Sequence, residues 1–265
     1  MGTQMSNRET VFFTVCYPKA LPYMDGFFES LMNQTDQDFD ILVVNDSCGS
    51  LEAQLERYRK TLRIHELQAT GSLANVRQVG FEEIFARGYK QVVFGDFDDC
   101  FMPDRVAKVR MLLRDFDIIV NDVSLFGDRE DEIYFSRRIK DRSQICLEEI
   151  FTKNFMGFSN TAVRAECLKD IILADTIAVD WYLFSRLLAR GARAVFCAEP
   201  LTNYRQHADN MATFVGDKSK RAEVKLVHYQ SLKRDCPELI SAIDRLGKRT
   251  DELEVVVTNP FWWED

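Results

Sequence analysis

The sequence predicts an α/β fold with a mostly parallel central sheet and helices on both of its faces. Short apolar runs of strand length alternate with amphipathic stretches of helix length through the first half of the chain. Several of these runs, such as VFFTVC at 11–16, are apolar throughout, as is typical of strands buried on both faces. No linker rich in proline, glycine or serine is visible, so we expect one domain.

The elements of the first half alternate regularly between strand and helix. The amphipathic stretch after the first strand places Phe27, Phe28 and Leu31 on one face of a helix. The apolar runs predict strands at 11–16, 39–44, 62–67, 91–95 and 117–120. The stretches between them predict helices at 21–34, 50–60, 73–87 and 103–114. This alternation is the pattern of a parallel sheet whose connections are helical.

The second half has a looser pattern, and its elements are predicted from shorter features. Short apolar runs predict a strand at 192–197 and, from a weaker pattern, another at 135–138. Helical periodicity predicts helices at 145–153, 165–172, 180–190 and 218–247.

The composition argues against several classes of protein. The chain has 265 residues and a net charge of −8, and this acidic balance argues against a nucleic-acid partner. No uncharged stretch approaches the ~20 apolar residues of a transmembrane helix. The N-terminus lacks the apolar core of a secretory signal. The seven cysteines contain no CxxC pair, so we expect reduced thiols in a cytoplasmic protein.

An acidic segment follows the fourth predicted strand. GDFDDCFMPDR at 95–105 places Asp96, Asp98 and Asp99 where ligands bind in parallel sheets, beyond the carboxyl end of a strand. Clustered carboxylates repel one another unless a cation lies among them. Oxygen ligands suit Mg²⁺ or Mn²⁺, which such sites share with substrate phosphates. The alternative is a solvated acidic turn in which one aspartate caps the next helix.

Three segments, in this order and spacing, resemble the family 2 glycosyltransferases of the GT-A fold. The segments are SLMNQTDQDFDILVVNDS (30–47), GSLANVRQVGFEEIFARGYKQVVFGDFDDCFMPDR (71–105) and VDWYLFSRLLARGARAVFCAEPLTNYRQHADN (179–210). The resemblance implies a Rossmann-like nucleotide-diphospho-sugar transferase domain over 1–215. Its donor half would span 11–121 and its acceptor half 122–215, with a helical extension at 216–265 packed on the same domain.

The chain departs from the family pattern at several positions. Asn45 stands where the first residue of a double aspartate is usual, so Asp46 must carry that role. Gln78 follows Arg77 where asparagine is usual. The Gln-x-x-Arg-Trp motif of processive members is absent, and the chain has YRQH at 204–207 instead. This difference predicts the addition of one sugar per binding event.

The resemblance also implies roles for the residues that bind the donor and a metal. Asp98 would coordinate Mn²⁺ or Mg²⁺, and His207 would reach the same ion or the diphosphate. The expected donor-binding residues are Tyr17, Asp46, Arg77 and Asp96. Four of them have a purely structural alternative. His207 would be a hydrogen-bonded histidine, Tyr17 a tyrosine at a strand end, Asp46 an aspartate in a turn and Arg77 an arginine on a helix surface.

The remaining implied roles concern the acceptor. Asp180 would act as the general base that removes the proton of the acceptor hydroxyl, although aspartate is also a favoured helix N-cap. Gly157 and Trp181 are the expected acceptor-binding residues. The alternative for both is a place in the hydrophobic core, with Trp181 packed on the apolar face of its helix.

These expectations describe a metal-dependent inverting glycosyltransferase. It would move a sugar from a UDP-sugar to a glycan or a lipid-linked glycan, in the synthesis of cell-surface glycans. We expect a cytoplasmic enzyme, and the sequence leaves open both a peripheral membrane contact and a homodimer. A sugar nucleotidyltransferase is one alternative, but CYPKALPYMDG (16–26) lacks its glycine-rich phosphate loop. A non-catalytic module that binds nucleotide-sugars is the other.

Overall fold

The computed structural model describes residues 6–207, 218–241 and 243–244, and these residues form a nine-stranded sheet flanked by helices. The strands are β1 (Thr10–Cys16), β2 (Asp40–Asp46), β3 (Ile64–Ala69), β4 (Gln91–Phe94), β5 (Cys100–Phe101), β6 (Ile118–Gly127), β7 (Gln144–Ile145), β8 (Thr161–Arg164) and β9 (Ala194–Gln206). The α-helices are α1 (Met24–Met32), α2 (Glu52–Arg59), α3 (Leu73–Arg87), α4 (Arg105–Leu112), α5 (Val179–Ala189) and α6 (Lys218–Asp235). Short 3₁₀ turns lie at Pro18–Tyr23, Leu147–Ile150, Phe158–Asn160, Ala165–Leu168 and Pro237–Leu239.

The strand order is β3-β2-β1-β4-β8-β6-β9-β5, with β7 paired to β9. β1 pairs in parallel with β2 on one side and with β4 on the other, and β6 pairs in parallel with β9. β8 runs antiparallel between β4 and β6. The prediction of a mostly parallel sheet is therefore confirmed. From β1 the chain adds β2 and β3 on one side and then returns to add β4 on the other side. The gap between β1 and β4 is therefore the point where ligands bind in such sheets.

Both faces of the sheet are buried, as the continuously apolar strands predict. Phe12 and Val43 belong to one hydrophobic cluster, whereas their neighbours Phe13 and Leu42 belong to the other, because successive strand residues point to opposite faces. Helices α1, α2 and α4 cover the first face with residues such as Phe27, Leu55 and Val109. Helices α3, α5 and α6 cover the second with residues such as Phe81, Leu183 and Leu232.

Helix α3 has the bounds that the sequence predicts and lies unusually close to the sheet. Ser72 caps its first turn, since the Ser72 hydroxyl accepts a hydrogen bond from the Asn75 amide at 3.3 Å. Gly88 ends it with a left-handed φ of 76°. A Cβ atom on Gly80 would lie 2.2 Å from Phe13 Cε2, so only glycine allows this approach. The contact holds the helix over the end of β1.

The predicted strand at 135–138 is wrong, and the segment is a turn. The carboxylate of Asp122 accepts hydrogen bonds from the backbone amides of Phe135 at 2.6 Å and of Ser136 at 3.0 Å. These amides pair with a side chain from β6, so they take no part in a strand ladder.

Several predicted helices are shorter than expected. The segments 145–153 and 165–172 contain no α-helix: each has one 3₁₀ turn, the first begins with the last residue of β7, and in the second Asp170 adopts a left-handed φ of 58° just after the turn. The helix predicted at 21–34 is α1, which begins only at Met24. Pro22 lies in the 3₁₀ turn before it and lacks the amide that a helix starting earlier would need. The helix predicted at 218–247 stops at Asp235, before Pro237. Parts of the predicted extension at 216–265, including all of 245–265, lie outside the described residues.

Within the described residues, no helix combines the length and the apolar character needed to cross a membrane.

Candidate active site

A pocket of about 490 Å³ lies at the carboxyl ends of β1, β2 and β4. Its other walls come from the loop that leads into β8, the start of α5 with the segment before it, and residues of β6, β9 and the turn at 134–135. Seven of the predicted site residues line it, namely Tyr17, Asp46, Arg77, Asp96, Asp98, Gly157 and Asp180. The fold thus brings together residues that are far apart in the sequence.

Asp98 lies at the centre of a small polar cluster. Its Oδ2 accepts a hydrogen bond from the Tyr17 hydroxyl at 3.2 Å and lies 3.0 Å from His207 Nε2. The His207 ring lies beside the Tyr23 ring, with centroids 5.2 Å apart. Three predicted site residues, from the end of β1, the end of β4 and the end of β9, therefore meet at one carboxylate oxygen.

Asp99 is held inside the protein and does not point into the pocket. It is 1% exposed, and its carboxylate accepts hydrogen bonds from the Ser159 hydroxyl and, at 2.6 Å, from the Arg205 amide. The Arg205 Nε donates to the Asp98 carbonyl at 2.6 Å. Asp99 and Arg205 therefore fasten the acidic segment to β9. Asp99 does not cap α4.

The three carboxylates lie close enough to perturb one another. Burial and the charge of Asp98 together raise the pKa of Asp96 to about 7, against the opposing charge of Arg77. Burial and the charges of Asp98 and Asp96 also raise the pKa of Asp99 well above its usual range. Arg105 lies behind the segment with no exposed surface, and its guanidinium donates to the Phe94 carbonyl at 2.6 Å. The carboxylates are therefore disfavoured in their charged form mainly by burial and secondly by one another's charge, and a cation placed among them would relieve the second effect.

The residues present fit a divalent cation that is shared with a ligand. Among the described residues, no group of three or more His, Cys, Asp or Glu is placed to hold a metal by itself. Mg²⁺-type ions, however, commonly take one or two protein ligands and complete their shell with phosphate and water. Asp98 Oδ2 and His207 Nε2, which lie 3.0 Å apart in a hydrogen bond, are donor atoms of the kinds that Mn²⁺ accepts, so these two residues would hold the ion.

Asp180 lies in the first turn of α5, on the opposite side of the pocket from β1. Its Oδ1 accepts a hydrogen bond from the Trp181 amide at 2.7 Å, so it serves its helix and also lines the pocket. Burial raises the pKa of Asp180 to about 6, against the opposing effects of the Trp181 amide, Arg77 and Asn154. A carboxylate that titrates near neutral pH suits a general base.

Arg77 projects from α3 into the region between the acidic groups. Its guanidinium stacks on the Phe158 ring at 4.7 Å and donates to the Leu73 carbonyl at 3.1 Å. Its charge acts on both Asp96 and Asp180, and burial lowers its own pKa. Arg77 is therefore held against Phe158 and Leu73 beside the acidic groups, and is not an arginine on an exposed helix surface.

The departures from the family pattern have structural explanations. Asn45 is buried, and its amide donates to the Gly49 carbonyl at 2.7 Å and to Glu66 Oε1 at 2.8 Å, so it shapes the turn after β2. Asp46, the next residue, lines the pocket. Gln78 holds the segment before α5, because its Oε1 accepts a hydrogen bond from the Leu173 amide at 3.1 Å.

The two residues predicted to bind the acceptor have different positions. Gly157 lines the pocket, and a Cβ atom built on it would lie 3.8 Å from Asp180 Oδ2. Trp181 has no exposed surface and does not line the pocket. Its Nε1 donates to the Ile150 carbonyl at 2.6 Å, and its ring stacks on His228 from α6 at 4.1 Å. Trp181 therefore packs in the core, because α6 covers the face of α5 on which it lies.

The sequence-based prediction missed several pocket residues. Lys19 and Tyr204 line the pocket. Lys19 lies just after β1 and Tyr204 near the end of β9, and a position near the end of a strand could have marked both as pocket residues. Asn154 hydrogen-bonds to Asp180. It lies in a segment without regular structure, and no local pattern indicates its role.

Comparisons with known structures agree with this fold. The TarS fragment 1–349 of S. aureus, in complex with UDP-GlcNAc, has a TM-score of 0.63 and 18% identity. The match covers 75% of this chain and 59% of that one, so the chain spans less than two thirds of the fragment. The mannosyltransferase PcManGT from Pyrobaculum calidifontis, in complex with GDP-Man and Mn²⁺, has a TM-score of 0.61 and 16% identity. That match covers 91% of this chain and 70% of that one.

A third structure, GalNAc-T7 with UDP, GalNAc and Mn²⁺, has a TM-score of 0.57 and 12% identity over 76% of this chain and 44% of that one. At these identities the likeness shows the fold alone, which is GT-A. No curated protein sequence matches the chain significantly. The model of the family described as "Glycosyl transferase family 2" matches residues 12–171, more than half of the chain. The chain therefore belongs to glycosyl transferase family 2.

Proposed function

We propose that this protein is a metal-dependent inverting glycosyltransferase that uses a nucleotide-sugar, with a UDP-sugar as the expected donor. One observation carries the proposal: Asp98, which contacts His207 at 3.0 Å, and Asp180 line the same pocket, and the charge of Arg77 acts on both Asp96 and Asp180. The three solved structures of this fold hold a nucleotide or a nucleotide-sugar, and two of them hold Mn²⁺.

The donor would lie along the ends of β1, β2 and β4. The Tyr17 ring offers a stacking surface for a base, and the Asp46 carboxylate accepts hydrogen bonds such as that of a uracil ring N–H. Arg77 supplies a planar set of donors for a phosphate or a base. Lys19, at the same edge of the pocket, adds a second cation on the side where the diphosphate would lie.

Asp98 and His207 would hold the divalent cation, Mn²⁺ or Mg²⁺. When bound, the cation would neutralise the charge that develops on the nucleoside diphosphate leaving group. Asp96 would lie beside it, near the ribose. Asp99 and Arg205 keep the acidic segment in place, so its carboxylates are positioned before a ligand arrives.

Asp180 would prepare the nucleophile. Its carboxylate lines the pocket with Oδ2 beside Gly157, where the missing side chain leaves room for an acceptor hydroxyl. The carboxylate would accept the hydroxyl proton while the hydroxyl oxygen bonds to the anomeric carbon and the bond to the diphosphate breaks. Attack from the side opposite the leaving group inverts that carbon.

The test is a thermal-shift screen of UDP, GDP, ADP, CDP and dTDP, each with Mn²⁺ and with EDTA. A ligand at 100 times its dissociation constant adds about 2.7 kcal/mol of stability. We expect one diphosphate, UDP, to stabilise the protein with Mn²⁺ and to lose that effect with EDTA. No stabilisation by any diphosphate at millimolar concentration would refute the donor site.

An Asp180→Asn variant distinguishes an enzyme from a module that only binds nucleotide-sugars. Asparagine keeps an oxygen for the Trp181 amide but cannot take a proton. If the protein is an enzyme, the variant binds the diphosphate as before and loses turnover. If the protein is a binding module, the variant differs from the parent in neither respect.

A further inference from the structure

The two halves of the pocket differ in chemical character. Nearly all the charged residues that line it come from the first half of the chain, namely Lys19, Asp46, Arg77, Asp96 and Asp98. Asp180 is the one charged lining residue from the second half among the described residues. Apolar and aromatic side chains make up most of the remaining lining of that half, with Asn154, Ser159 and Asn160 among them.

Seven of these apolar and aromatic side chains line the pocket together with Asp180, and we call them the apolar wall. β6 contributes two aliphatic residues, a turn and a loop contribute aromatic residues, and the segment before α5 and the first residue of α5 contribute one aliphatic residue each. The wall consists of Val123, Leu125, Tyr134, Phe135, Phe155, Ile177 and Val179.

The polar side chains next to the wall already use their hydrogen-bonding groups within the protein. Asn160 accepts from the Gly157 amide at 2.8 Å and donates to the Asn121 carbonyl at 3.0 Å. Asn154 accepts from the Met156 amide at 3.0 Å and bonds to Asp180. The Ser159 hydroxyl donates to Asp99.

This arrangement is unfavourable for a ligand that is polar on all sides. A sugar ring that lost its water at the wall would leave several hydroxyls without partners, and each lost hydrogen bond costs binding free energy. An alkyl or aryl group at the same place would lose no hydrogen bonds and would gain the free energy of burial.

The wall continues to the mouth of the pocket. Ile177 lines the pocket and is 47% exposed, so an apolar group seated on the wall has an apolar path outward. An exposed large aliphatic side chain at the rim of a ligand pocket is typical of a binding surface.

We propose that the acceptor is amphipathic: its head group brings the reacting hydroxyl to Asp180, and an attached alkyl or aryl group lies on the apolar wall. This inference rests on the proposed function and narrows its acceptor class. It selects acceptors with an apolar aglycone over free polar glycans.

The test compares methyl β-D-glucoside with octyl β-D-glucoside, which share a head group and differ in the length of the alkyl chain. Their dissociation constants are measured by calorimetry in the presence of UDP and Mn²⁺, below the concentration at which the octyl compound forms micelles. Each buried methylene gains about fourfold in affinity, so burial of three of the added methylenes gives roughly sixtyfold tighter binding. Affinities within about twofold of each other would overturn the proposal.

Two matched variants separate binding on the wall from general adsorption of a surfactant. Ile177→Ser removes apolar surface at the mouth of the pocket, and Ile172→Ser does so at a residue that is 75% exposed and does not line the pocket. We expect Ile177→Ser to weaken octyl glucoside binding about tenfold and Ile172→Ser to leave it unchanged. Equal weakening by both variants would overturn the proposal.

A titration of UDP with Mn²⁺ on the same samples keeps the two proposals apart. If UDP binds and the octyl preference is absent, the acceptor inference is wrong and the donor site stands. If the octyl preference is present and neither UDP nor another diphosphate binds, the wall stands and the proposed function is wrong.

Discussion

The Asp180→Asn substitution tests the proposed general base most directly. The change replaces one carboxylate oxygen by an amide nitrogen, and Oδ1 still accepts the hydrogen bond from the Trp181 amide that is 2.7 Å long in the parent. Loss of a general base typically lowers a rate by about 10²–10⁴-fold. We therefore expect the kcat to fall about a thousandfold, with donor binding unchanged.

The pH dependence of the parent's kcat is a second, independent test of Asp180, and its size follows from the pKa of this residue. Burial raises the pKa of Asp180 to about 6, so the base is protonated and inactive below that pH. At pH 5 about one carboxylate in eleven is ionised, and the kcat should be roughly tenfold below its value at pH 8. An aspartate with an ordinary pKa would keep more than about nine tenths of its activity at pH 5.

The assay measures the release of UDP during turnover between pH 5 and pH 8. Asp175→Asn is the matched control, because Asp175 is exposed, lies five residues before Asp180 and does not line the pocket. If Asp180→Asn keeps more than about a tenth of the parent activity, or the parent shows no loss between pH 7 and pH 5, Asp180 is not the base.

Three further predictions concern the metal, the packing of α3 and a buried histidine. Asp98→Asn and His207→Gln should each raise the Mn²⁺ concentration for half-maximal activity by more than the roughly tenfold typical of outer-shell partners; an unchanged Mn²⁺ requirement would exclude both as ligands. Gly80→Ala places a Cβ 2.2 Å from Phe13 Cε2 and should cost about 1–3 kcal/mol in the free energy of unfolding, seen as a lower Tm. Burial lowers the pKa of His228 to about 3, below its unfolded value, so it contributes stability above pH 6.5 that is lost as the pH falls towards 3. In urea unfolding, the free energy of unfolding should fall between pH 7 and pH 5 by about 2 kcal/mol more in the parent than in His228→Phe. Equal falls in the two proteins would refute this role of His228.

The regular first half of the fold was predictable because its patterns are local. The bounds of α3 follow from Ser72 at one end and Gly88 at the other, both of which act within a few residues. The strand at 91–95 follows from its apolar run, and the acidic segment after it falls at the carboxyl end of β4. Hydrophobic periodicity reports burial along one element, so it predicts such elements without knowledge of their neighbours.

The irregular second half was not predictable in the same way. β8 runs antiparallel between β4 and β6, and its short run of residues has no pattern that marks it as a central strand. The turn at 135–138 depends on the Asp122 carboxylate, which β6 places beside it. Both outcomes depend on contacts between segments that are distant in the sequence.

The sequence by itself determined which chemical groups stand at the strand ends, and the order of those groups was enough to indicate the family. Only the tertiary structure decided which of them share a pocket. It buried Trp181 under α6 and left Ile177 at the mouth of the pocket, although both lie within five residues of Asp180. It also raised the pKa of Asp180, since desolvation depends on every element packed around a carboxylate. Burial and proximity are properties of packed neighbours, and no local pattern of residues encodes them.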